Sequence, residues 1–93
     1  MGFWNNLFDA AQKAAMSQFG IERPRDAISF VERLIDSRRD DEDKVKYTKQ
    51  VVDWLKHLSL STKSEAGDAE YVLDYFQHSY KVSAFCKNHR IKL

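Results

Sequence analysis

Between Glu65 and Asn88 the chain holds no proline, and its apolar side chains recur at spacings of three and four on two adjacent sides of one helical wheel. Ala69, Val72, Leu73, Phe76, Tyr80, Ser83 and Cys86 fall on one side, and Tyr71, Tyr75, His78, Val82, Phe85 and His89 on the next. What remains polar is a narrow strip of Glu70, Asp74, Gln77, Lys81 and Asn88. A surface helix buries a single apolar stripe, so a helix with two must sit centrally among its neighbours or meet a partner. The pattern predicts an all-α protein, a compact bundle of three to four helices with the C-terminal helix, about residues 65–88, at its centre.

The rest of the chain supplies the neighbours. Residues 3–19 place Phe3, Trp4, Leu7, Phe8, Ala11, Ala15 and Phe19 at helical spacing, and Gly20 is a natural stop. A second helix is expected over 24–37, opened by Pro24, whose missing N–H would be unpaired in a first turn anyway. It sets Ala27, Ile28, Val31, Leu34 and Ile35 on one face. Asp40 is placed to cap a third helix over 41–58, with Asp41, Glu42 and Asp43 in a first turn that favours negative charge. Its apolar arc is Tyr47, Val51, Trp54, Leu55 and Leu58, bordered by Thr48 and Val52. Thr62-Lys-Ser-Glu65 matches the Ser/Thr-x-x-Glu capping box and is expected to open the last helix. Residues 89–93 read as a frayed basic tail.

Ninety-three residues make a single domain, 1–93, with one core and little room for a deep pocket beside it. Three glycines and one proline leave few of the turns a sheet protein needs. The 43% hydrophobic and 31% charged content suits a globular, soluble chain. Met1-Gly-Phe-Trp-Asn-Asn lacks the basic start and apolar run of a secretory signal, and the single Cys86 excludes an internal disulfide, so a cytoplasmic location is expected. Charge is uneven: residues 1–43 carry six Lys/Arg and nine Asp/Glu, whereas residues 44–93 carry nine and five.

Few residues point to chemistry. Cys86, His78 and His89 fall roughly 80° to 100° apart around the helix or about three turns apart along it, and zinc wants four converging ligands. No metal and no cofactor are therefore expected. The four carboxylates of 40–43 are consecutive and alike, whereas general acid–base work needs two in different environments. Gly2, Gly20 and Gly67 are isolated and form no phosphate loop. The expectation is a non-enzyme with no small-molecule substrate and no catalytic residue.

Two Trp, four Tyr and six Phe supply more large apolar surface than a minimal bundle hides, and aromatic residues are favoured anchors at protein interfaces. The candidate protein-binding residues are Tyr71, Tyr75, His78, Val82 and Phe85, with Phe3 and Trp4 as a second set. The partner would be another protein or a second copy of this chain, which would make a homodimer. A regulator, inhibitor, adaptor or assembly subunit has this profile, and so does a bacterial or phage-encoded inhibitor of a larger machine. An alternative is nucleic-acid binding through Lys46, Lys49, Lys56, Lys87, Arg90 and Lys92, against which a pI near 7.9 argues. A second alternative is peripheral membrane association through Phe3 and Trp4. The polar face of that segment, Asn5, Asn6, Asp9, Gln12, Lys13 and Gln18, is nearly neutral where interfacial helices are usually basic, and Asn6 stands where N-myristoylation of Gly2 asks for Ser or Thr.

Overall fold

A computed structural model describes the backbone of residues 2–62 and 64–93 and the side chains from residue 10 onward, Lys63 excepted. The chain forms five helices, α1 (Gly2–Gln18), α2 (Asp26–Asp36), α3 (Asp41–Ser59), α4 (Ala66–His78) and α5 (Tyr80–Asn88), with no strand among the described residues. The expected bundle of three to four helices is thus corrected to five. The difference arises at Ser79.

Ser79 is extended (φ −82°, ψ 119°) and serves two helix ends at once. Its N–H donates to the Tyr75 and Phe76 carbonyls and closes α4, while its hydroxyl accepts from the Val82 N–H at 3.3 Å and opens α5. A serine at such a junction satisfies backbone donors that a helix start would leave unpaired. The apolar spacing continues through the break, which is why 65–88 reads as one helix.

The other boundaries have local causes. Asp40 accepts from the Asp43 N–H at 2.9 Å and caps α3 as its sequence position predicts. Pro24 opens a tight turn ahead of α2, with the Ala27 N–H donating to the Pro24 carbonyl and the Ile28 N–H to that of Arg25. The Asp26 carboxylate accepts from the Arg23 and Glu22 N–H groups at 2.9 and 3.0 Å, bonds that hold its pKa below the ordinary 3.8. At α4 the capping box is not used: Glu65 holds the cap position in helical conformation with no side-chain cap bond.

Two helices end in the same motif. After α1, Gly20 is left-handed (φ 79°), the Ile21 N–H reaches back to the Met16 carbonyl and the Gly20 N–H to that of Ser17. After α5, Arg90 is left-handed (φ 59°), with the Ile91 N–H on the Cys86 carbonyl and the Arg90 N–H on that of Lys87. Both are Schellman ends, each with an apolar residue following the left-handed position. Ile21 and Ile91 are both buried. The expectation of a frayed tail at 89–93 is therefore overturned: Ile91 enters the core, Leu93 packs against it, and the Leu93 carbonyl lies 3.4 Å from Gln77 Nε2.

One contiguous core draws on every helix, with Met16, Ile21, Ala27, Val31, Val51, Val52, Leu55, Val72, Phe76, Val82 and Cys86 buried in it. α4 packs against α2, α3 and α5, with α3 its most extensive partner. Arg25 Nε lies 3.4 Å from Asp68 Oδ1 and Lys81 Nζ lies 2.6 Å from Asp36 Oδ2. These two pairs join the start of α2 to the start of α4 and the end of α2 to the start of α5, so α2 runs in the same sense as the α4–α5 pair. Exposed pairs contribute about 0–1 kcal/mol each; the core carries the stability. The Cα radius of gyration is 12.9 Å, in line with the ~13 Å of a compact domain of about 100 residues.

Candidate protein-binding surface

α4 keeps its inner stripe, Ala69, Val72 and Phe76, fully buried and turns a second stripe outward. Tyr71 is 47% exposed, Tyr75 38%, and His78 lies exposed one turn further on. With Asp74 and Ser79 they line a shallow concavity on the surface of the helix. The Arg25 guanidinium sits 4.2 Å from the centre of the Tyr71 ring while Asp68 holds its Nε, so Tyr71 is steadied by a cation–π contact from α2. Tyr75 meets the edge of Phe76 with ring centres 6.4 Å apart. His78 donates from Nδ1 to the Asp74 carbonyl at 2.9 Å, with the Asp74 carboxylate 3.5 Å away. Tyr80, the first residue of α5, is 88% exposed.

The break at Ser79 divides the sequence-derived contact row. Tyr71, Tyr75 and His78 stay together on the surface, but Val82 is fully buried and Phe85 is half-buried with its ring 4.5 Å from that of His89. Val82 is therefore a core residue and not a contact residue, because the interruption resets the rotation of α5 relative to α4. The Phe3 and Trp4 side chains lie outside the described residues. The described end of α1 places Met16 and Phe19 against the core and not over Tyr71 and Tyr75.

The basic residues do not gather into one patch. Lys46 and Lys49 are exposed on α3 and Lys56 is half-buried, whereas Lys87, Arg90 and Lys92 are exposed at the far end of α5, and α3 and α5 share no extensive contact. Arg90 supplies the left-handed closure of α5 in addition to its charge. No group of three or more His, Cys, Asp or Glu side chains converges among the described residues. Cys86 is buried, and that burial pushes its thiol up to about 11, which disfavours the reactive thiolate at neutral pH.

Comparison with protein-family models, curated proteins and solved structures found no match. No described helix is long and apolar enough to cross a membrane.

A second surface feature joins residues far apart in sequence. Phe19 after α1, Phe30 on α2 and Tyr47 on α3 form a ring cluster: Phe19 stacks on Phe30 with centres 5.1 Å apart and meets Tyr47 edge-on at 5.3 Å. Leu34, Arg33, Arg39, Ser37 and Gln18 complete the cleft around it. Its members come from four separate stretches of chain, each of which reads locally as ordinary core or ordinary charged turn. The only linear hint is Arg38-Arg39, an adjacent cationic pair at the mouth of the connection between α2 and α3.

Proposed function

We propose that the protein is a small non-enzymatic, cytoplasmic binding module that acts by docking another protein, or a second copy of itself, on the aromatic face of α4. The observation that carries this reading is the outward stripe of Tyr71, Tyr75 and His78, left uncovered by the described part of α1. Tyrosines offer large contact area with a hydrogen-bonding tip and little rotamer entropy to lose, which is why such residues dominate binding energy at interfaces. Arg25 holds Tyr71 in place before any partner arrives, and an anchor already ordered loses less freedom on binding. The regulator, inhibitor, adaptor and assembly-subunit roles, including a bacterial or phage-encoded inhibitor, share this mode of action.

Capture from the source cells with the immobilised protein, repeated with a Tyr71→Ala/Tyr75→Ala variant, tests the reading. A partner retained by the parent and lost by the folded variant supports it. Self-association is separated by light scattering at rising concentration: a dimer that dissociates in the double variant identifies the second copy as the partner. A partner captured equally by both proteins would place the binding elsewhere.

A further inference from the structure

We propose that the cleft formed by Phe19, Phe30, Leu34 and Tyr47 is a second docking site, and that its occupant is an acidic peptide segment carrying an aromatic or aliphatic anchor. Three half-buried rings from the end of α1, from α2 and from α3 make an apolar floor open to solvent on one side. Its rim is cationic. Arg33 and Arg39 line the cleft, Arg38 adjoins it, and the Lys46 ammonium stands 5.8 Å from the Tyr47 ring centre.

The state of these cations indicates the chemistry of the occupant. Arg25 and Lys81, elsewhere on the surface, are each matched by a carboxylate of a neighbouring helix. Arg33, Arg38 and Arg39 have no ion-pair partner among the described residues. Arg33 Nε instead donates to the Ser29 carbonyl at 3.3 Å, and the Arg39 guanidinium lies 5.5 Å from the Tyr47 ring centre. The nearest acidic run in sequence, 40–43, forms no ion pair with them among the described residues, and the Asp40 carboxylate accepts from the Asp43 N–H at the start of α3. Guanidinium groups bind carboxylates through a planar two-toothed contact and carry little hydration to lose, and the ring floor beneath them takes an apolar side chain.

Titration of the full chain with fluorescent dodecapeptides tests the assignment: one set flanks a central Phe or Leu with Glu, a second with Lys, and a third with Ser. The acidic set should bind, weaken as salt rises, and shift the backbone amide resonances of Phe19, Phe30 and Tyr47. Arg33→Glu/Arg39→Glu should weaken it at least tenfold, while Arg33→Lys/Arg39→Lys, which keeps the charge but loses the two-toothed contact, should weaken it about three- to fivefold and serves as the folding control. If the Glu variant does not fold by circular dichroism, Arg33→Gln/Arg39→Gln replaces it. Tyr71→Ala/Tyr75→Ala should leave this binding unchanged, so the outcome is independent of the α4 surface. The proposal is overturned if no acidic peptide binds in low salt, if the Lys or Ser set binds equally, if charge reversal has no effect, or if a single-stranded oligonucleotide binds tighter through the same amides.

Discussion

Residues 66–78 and 80–93 carry the same kind of sequence and meet opposite fates. In α4 the apolar residues separate into an inner stripe that is completely buried and an outer stripe of tyrosines that is not. In α5 the corresponding outer positions are drawn inward: Val82 is fully buried, Phe85 half-buried, and Ile91 closes over the helix end. The same spacing thus produces a surface before Ser79 and a core after it. A hydrophobic pattern fixes which residues share a face, but only the packing of the helix decides whether that face meets protein or water.

The largest effect expected on this contrast comes from two adjacent residues of α4. Phe76→Ala should destabilise the protein by about 3–5 kcal/mol, because it empties a fully buried ring site. That is a large share of the roughly 5–15 kcal/mol typical of a whole domain. Tyr75→Ala, one position along and 38% exposed, should cost roughly 1 kcal/mol while removing partner binding. Urea denaturation of both variants measures the difference. Equal losses would mean that Tyr75 belongs to the core and that the proposed docking face is structural.

A smaller effect sharpens where the contrast begins. Ser79→Ala removes the hydroxyl that accepts from the Val82 N–H, and loss of such a cap costs about 1 kcal/mol. Alanine also favours continuing the helix. A loss near that size with unchanged helical content would show that tertiary packing of Val82 and Cys86 keeps the break in place. A gain in both stability and far-ultraviolet helix signal would show that the serine alone interrupts an otherwise continuous helix.

Much of the fold was legible because it rests on short-range signals. The Asp40 cap, the α3 arc of Val51, Trp54, Leu55 and Leu58, and the stop at Gly20 are each set by residues within a turn or two of one another, and all appear where the sequence puts them. The break at Ser79 was not legible, since Tyr71, Tyr75, His78, Val82 and Phe85 keep spacings of four and three straight through it, and a helix-break-helix satisfies that period as well as one helix does. The buried tail escaped for a related reason: basic residues at 87, 90 and 92 read as solvated, although the alternation of Ile91 and Leu93 with them was a usable signal. Of the candidate site, the α4 tyrosines were legible from periodicity. The Phe19–Phe30–Tyr47 cleft was not, because its parts are joined only by tertiary structure.

The two Schellman ends offer the finest comparison, and it concerns how firmly the α5 half is fastened. Gly20 and Arg90 occupy the same left-handed position, φ 79° and 59°, and each directs the following isoleucine into the core. Glycine adopts that conformation freely, whereas a residue with a Cβ meets the carbonyl oxygen at a cost of about 1–2 kcal/mol. Replacing Arg90 by glycine relieves that strain, and it also enlarges the conformational freedom of the unfolded chain, which gives back about 0.4–1 kcal/mol. A modest further loss follows because a cation near the end of a helix complements its dipole, typically by 0.3–1 kcal/mol at low salt. The balance leaves Arg90→Gly close to neutral at low salt and stabilising by roughly 0.8 kcal/mol in high salt, where the dipole contribution is screened while the strain is not. Chemical denaturation at two salt concentrations reads both the sign and its salt dependence. Destabilisation that persists in high salt would mean that the Arg90 side chain, and not only its backbone, fastens the C-terminal turn on which Ile91 depends.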